Sequence, residues 1–186
     1  MIYRPESIST SVSPDIEWIE HFLSNTTFKH EYFSILRITS PLKSKASLIS
    51  AFNSIQNENA DSIRAVAKVR EHPGKMWRFI KEGSSEVTPL LDPEIQNGVA
   101  WHARQYQDLP EVYVQTSSFE IIRTESVQKF KTREGRKILG FPLTYPETLT
   151  IDYEDEFWEL EMLSRDRLIA LPEISIKPYV YKYGEN

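Results

Sequence analysis

The sequence predicts an α+β fold, a mainly antiparallel sheet with about three helices concentrated in the first 110 residues. Three observations predict it. Segments with helical apolar spacing open behind capping signals, all before residue 110. Segments of β-branched and aromatic composition lie between them. From Val112 onward the β pattern recurs without a further helix start. At 186 residues the chain suits one domain, read as 13–186 behind a polar, flexible arm of residues 1–12.

Ser13-Pro14-Asp15 is a helix start, with a hydroxyl cap, a proline and an early acid, and Ile16, Ile19, Phe22 and Leu23 then share one face. Tyr32 to Thr39 has strand composition, and Ser40-Pro41 ends it. A second helix runs from about Ser44 to Ile55, with Leu48, Phe52 and Ile55 as its buried stripe. Ile63 to Arg70 alternates, so Arg64, Lys68 and Arg70 share one basic strand face. His72-Pro73-Gly74 is a turn, and Met76 to Lys81 is expected to pair with that strand. Asp92-Pro93-Glu94 opens the expected third helix, with Ile95, Val99, His102 and Tyr106 at helical spacing.

The C-terminal part reads as strands. Val112 to Ile122 comes first, then a basic connection through residue 137. Leu149 to Tyr153 and Phe157 to Leu163 form an expected hairpin, and Arg165 to Leu171 and Lys177 to Tyr183 supply short strands.

Composition removes several chemistries. The chain has no cysteine, so it has no disulfide, thiolate metal site or cysteine nucleophile. It contains six glycines and neither GxGxxG nor GxxxxGK[ST], which leaves no glycine-rich phosphate cradle. His21, His30, His72 and His102 have no metal-binding spacing, and there is no GxSxG elbow. No cofactor or metal is expected. The first residues lack a secretory pattern and no apolar run reaches membrane-spanning length, so the expectation is a soluble, cytoplasmic protein with no membrane partner.

Charge is segregated. Residues 61–82 hold six cations against three acids, 123–137 hold six against two, and 147–161 hold seven acids and no cation. The bland account is mutual neutralisation on neighbouring strands. The sharper one is that the acidic block, Glu154, Asp155, Glu156, Glu159 and Glu161 around Trp158, meets a basic partner. The basic patch of Arg64, Lys68, Arg70, Trp77 and Arg78 has the cations and the stacking platform that a nucleic acid needs.

One order of residues suggests an enzyme. An arginine among Arg64, Arg70 and Arg78 precedes Thr116-Ser117-Ser118, and Glu159-Leu160-Glu161 follows. This resembles the Arg, Ser-Thr-Ser, Glu-x-Glu order of ADP-ribosyltransferases, with the serine motif permuted. The resemblance implies an arginine holding the phosphates of a nicotinamide dinucleotide, Ser117 shaping the pocket, and Glu161 stabilising the cationic ribose. On a strand, Glu159 and Glu161 would also lie about 7 Å apart on one face, the spacing of a glycosidase-like pair.

The expected function is non-enzymatic binding of another macromolecule, foremost a protein, through the charge-segregated surface. An inhibitor, immunity factor, adaptor or assembly component would act in this way. The alternatives are an ADP-ribosyltransferase-like enzyme using Ser117, Glu159 and Glu161, and a nucleic-acid-binding module.

Overall fold

Pro14 and Ser44 mark the starts of the first two helices. Pro14 stands at the N-cap of α1 (Asp15–Asn25) with Asp15 and Glu17 in the first turn, where carboxylates complement the helix dipole. Ser44 caps α2 (Lys45–Asn57), its Oγ accepting from the Ser47 amide at 3.0 Å. Between them lies β1 (Tyr32–Leu36), and after α2 comes β2 (Ser62–Lys68). The computed structural model describes residues 2–27, 29–91, 95–96 and 98–171.

Two small hairpins follow: β3 (Trp77–Phe79) with β4 (Val87–Pro89), and β5 (Ile95–Gln96) with β6 (Val99–Ala100). The remaining elements are the long strand β7 (Tyr113–Arg123), α3 (Thr124–Phe130), β8 (Ile138–Pro142) and α4 (Glu154–Arg165). The main sheet has the order β1-β7-β2-β8; β7 is antiparallel to both neighbours, and β8 runs parallel to β2. The fold is therefore α+β with a mostly antiparallel sheet.

Alternation along β7 directs the core to two faces. Phe119 and Ile121 point one way, packing with Ile63 and Ala65 of β2 under Ala51 and Ile55 of α2. Ile122 points the other way and packs with Ile35, with Ile19 of α1 and with Val127 of α3. Fully burying each such Ile or Phe stabilises by ~1.5–3 kcal/mol, and Ile19, Ile55, Ile63, Phe119 and Ile122 are all essentially inaccessible. A third cluster, Leu42, Leu160 and Ile169, docks α4 on the turn after β1.

Several expectations are corrected. The described residues hold four α-helices, two of them beyond residue 123, so the helices are not concentrated in the first 110 residues. The expected third helix does not form. Ile95 and Val99 belong to the β5–β6 hairpin, turned at Gly98 with φ +77°, and His102 and Tyr106 fall in separate 3-10 turns. Its start, Asp92-Pro93-Glu94, lies outside the described residues.

The Leu149 to Leu163 hairpin is absent because its second arm is α4. Trp77–Phe79 pairs with β4, not with β2, whose partners are β7 and β8. The basic connection contains α3, and β8 follows it. Asp166–Leu171 carries no strand, and the segment 177–183 lies outside the described residues.

Candidate interaction surfaces

Arg64 is the first of the predicted basic residues, and it is not on an open face. In register it stands opposite Glu120, and both side chains are mostly buried, 15% and 8% exposed. Its guanidinium donates to Gln115 Oε1 at 2.6 Å and to Glu134 Oε1 at 3.3 Å, and its Nη2 lies 3.6 Å from Glu120 Oε2. Arg133 extends the network to Glu120 (3.4 Å), Glu134 (3.0 Å) and Asp15, and Arg37 pairs with Asp15 from the far side.

Three arginines and three carboxylates thus tie the start of α1, the sheet and the loop before β8 together with no net charge. Burial works against the charge of Asp15, but the Trp18 indole N–H and the guanidinium groups of Arg37 and Arg133 more than offset it and hold the carboxyl below its ordinary pKa. Glu134 is likewise held low: burial opposes its charge, and hydrogen bonds from Arg133 and Arg64 outweigh that.

The remaining members of the basic patch separate. Lys68 is exposed and paired with Glu111. Arg70 and Arg78 are exposed, and Trp77 lies half-exposed against the His102 ring at 5.0 Å. Trp77 and Arg78 ride on an arm outside the main sheet.

The base of that arm is tightly knit. His72 is buried, its Nδ1 accepting from the Gly74 amide at 3.0 Å and its Nε2 donating to the Pro110 carbonyl at 3.1 Å. Lys75 donates to the carbonyls of His102 (3.3 Å) and Arg104 (2.6 Å) and sits over the Tyr106 ring. Gly74 is needed there because a Cβ would lie 2.7 Å from Trp101 Cε3. The tip is different. Successive strand residues face opposite ways, yet Trp77, Arg78 and Phe79 are all exposed, so both faces of the β3–β4 hairpin meet solvent. Ile80, Val87 and Leu90 extend this apolar surface.

The acidic block forms α4. Glu156 accepts from the amides of Asp152 (2.7 Å) and Tyr153 (3.0 Å), so it caps the helix and is not free for a partner. Leu160 is buried and Leu163 half-buried, which fixes the inner face. Phe157 and Trp158 point out, 51% and 58% exposed, with Met162 beside them. At helical spacing the neighbours of Trp158 three and four residues away are Glu154, Asp155, Glu161 and Met162. Glu154, Asp155, Glu159 and Glu161 are exposed and make no ion pair with any described residue. Glu159 and Glu161 do not share a strand face; two positions apart on a helix, they diverge.

On β7, Thr116 and Ser118 are buried and Ser117 is exposed. Thr116 Oγ1 donates to the Ala65 carbonyl at 3.2 Å, a cross-strand structural role. Among the described residues no hydrogen bond or ion pair joins this serine run to Glu159 or Glu161, and no three His, Asp or Glu side chains are placed to hold a metal ion. No helix among them is long and apolar enough to cross a membrane.

Sequence reasoning missed Asp61, which organises the start of β8. Its carboxylate accepts from Ser126 Oγ (2.6 Å) and the amides of Arg136 (2.7 Å) and Lys137 (2.9 Å). The Ser126 hydrogen bond, aided by those amides and by Arg123, outweighs burial and holds the Asp61 carboxyl below its ordinary pKa. Gly135 was the available signal, since it stands in the left-handed region with φ +72° and a Cβ there would lie 2.3 Å from that of Asp61.

The chain matches no protein-family model, and no curated protein matches it significantly.

Proposed function

We propose that this chain acts by binding another macromolecule, a protein with a basic contact segment, through the outer face of α4. The observation that carries the proposal is the set of carboxylates Glu154, Asp155 and Glu161, unpaired within the described residues and grouped around the exposed Trp158, with the unpaired Glu159 and the exposed Phe157 on the flanks of that face. The charges that join the start of α1 to the sheet, by contrast, are spent on each other in the Arg64, Arg133 and Glu120 network. An arginine or lysine laid over Trp158 would gain a cation–π contact and ion pairing at once, ~0.5–2 kcal/mol for the first alone. The surrounding charge would chiefly raise association rate and selectivity. The apolar tip of the β3–β4 hairpin, where Arg78 and Lys81 are balanced by Glu82 and Glu86, supplies a second contact surface with no net charge.

The cytoplasmic location and the single-domain reading of 13–186 belong to the same proposal. The test is affinity capture of the tagged protein from its source lysate, with and without nuclease, read by mass spectrometry. A stoichiometric, nuclease-resistant protein supports the proposal. A catch that vanishes with nuclease transfers it to the nucleic-acid reading, carried by the exposed Arg70 and Arg78.

A further inference from the structure

β1 is an edge strand: β7 pairs with one side, and no described residue pairs with the other. Natural edges are guarded by charges, proline or a bulge. Tyr32-Phe33-Ser34-Ile35-Leu36 has none of these, and its register against β7 runs unbroken from Tyr32↔Arg123 to Leu36↔Phe119.

The outward backbone groups can be assigned. Thr124 N–H donates to the Glu31 carbonyl and Arg37 N–H donates to that of Ser118, so the odd positions 31 to 37 exchange hydrogen bonds with β7. Tyr32, Ser34 and Leu36 therefore turn their N–H and C=O groups toward the open edge. Along that edge runs a groove of about 350 Å³, bounded by Tyr32 and Leu36 of β1, Leu48, Ile49 and Phe52 of α2, and Ile121 of β7. None of its lining residues is charged.

We infer that the open edge of β1 takes up an extended, uncharged apolar segment of another polypeptide, which adds as a fifth strand and fills the groove beside α2. A small apolar ligand would fill the groove and leave the three outward pairs of backbone groups unmet, whereas a strand satisfies both. Helices cover both faces of the sheet next to β1, α2 on one and α1 with Trp18 on the other. A strand added there lays one face against the uncharged groove beside α2, which favours apolar side chains on that face. Matching the five residues of β1 sets a span of roughly 17 Å. Self-pairing about Ser34 would set Glu31 across from Arg37, but Arg37 is already engaged with Asp15, which removes the charge advantage of a second copy. This inference is independent of the α4 reading, since it uses a different surface.

The probe is a fluorescein-labelled peptide with a Val-Ile-Val-Ile-Val core and uncharged glycol tails, read by anisotropy and by hydrogen exchange. Binding with added protection at the Tyr32, Ser34 and Leu36 amides is expected, and an N-methylated version of the same peptide should not bind. Ser34→Pro removes an N–H that serves no ladder bond, and should weaken binding at least tenfold. Ile49→Glu charges the groove from α2 without touching the strand, and should do the same. No binding to the wild-type chain, equal binding of the N-methylated peptide, or unchanged affinity in both variants would overturn the inference. So would sedimentation showing that the chain alone dimerises and that Ser34→Pro makes it monomeric, because the edge would then belong to a second copy.

Discussion

Arg64 and Glu120 stand directly opposite each other on β2 and β7, deep in the sheet, with Nη2 and Oε2 3.6 Å apart. That pairing decides the fate of the predicted basic patch. A residue held by Glu120, Glu134 and Gln115 cannot also meet a phosphate backbone without being pulled from the sheet. It also makes a first prediction. Removing Glu120 leaves Arg64 and Arg133 to share Glu134 and Asp15, so Glu120→Ala should cost ~1–3 kcal/mol in urea unfolding. Arg64→Met with Glu120→Leu should recover most of that. A loss below about 1 kcal/mol in the single variant would mean the pair is solvated.

The Asp61 clip makes a second. Gly135→Ala introduces a Cβ at φ +72° against Asp61, and should destabilise by ~1–3 kcal/mol. Asp61→Asn should release the same loop by a different route, weakening the hydrogen bonds to Ser126, Arg136 and Lys137. Urea midpoints of both variants check this, and wild-type midpoints would contradict it.

The pH dependence follows from the direction of three shifts. Asp61, Asp15 and Glu134 have folded pKa values below their ordinary ones. Between the folded and unfolded values the unfolded chain binds more protons, so stability rises with pH there. Their contribution is fully present above the ordinary carboxylate range, about pH 4–4.5, and is lost as pH falls through the folded values. Urea midpoints should therefore be flat from neutral pH down to about 5 and drop below about 4. Asp61→Asn should make that drop shallower; an unchanged slope would remove Asp61 from the account.

Gly74→Ala tests the arm. The new Cβ meets Trp101, so the turn at His72 must shift. Tryptophan emission should change while far-ultraviolet dichroism from the main sheet stays as in wild type, because β3 and β4 pair only with each other. Loss of both signals together would show that the arm and sheet unfold as one.

The orientation of α4 is tested by a pair of variants. Leu160→Ala removes a buried side chain and should cost ~2–5 kcal/mol. Trp158→Ala lies on the outer face and should stay within about 0.5 kcal/mol of wild type. Reversed magnitudes would turn the helix around.

What the sequence made legible follows the strength of its local signals. Ser44 before Leu48, Phe52 and Ile55 is a cap before a stripe, and α2 forms there. The alternation of Ile63 to Arg70 and the β-rich run from Val112 gave β2 and β7, each flanked by a paired strand on both edges. α4 was misread because its inner face carries Glu156 and Ser164 along with Leu160 and Leu163, too few apolar groups to show a helical period. Its cap is Glu156 reaching back to Asp152 and Tyr153, with none of the usual hydroxyl at the start. The expected third helix failed at Gly98, whose φ of +77° turns the chain between β5 and β6 and outweighs coincidental helical spacing. β8 was hidden by Gly140 and Pro142. Of the acidic surface, the residues were legible and their geometry was not, since one face on a strand becomes two on a helix.

The central claim is that α4 carries the partner surface. The most direct test is side-by-side capture with the wild-type chain and a Glu154→Lys, Trp158→Ala, Glu161→Lys variant that leaves Glu156 and Leu160 in place, both verified as folded. The account predicts a stoichiometric protein partner on the wild-type chain and its loss from the variant. The same partner recovered equally from both would contradict it.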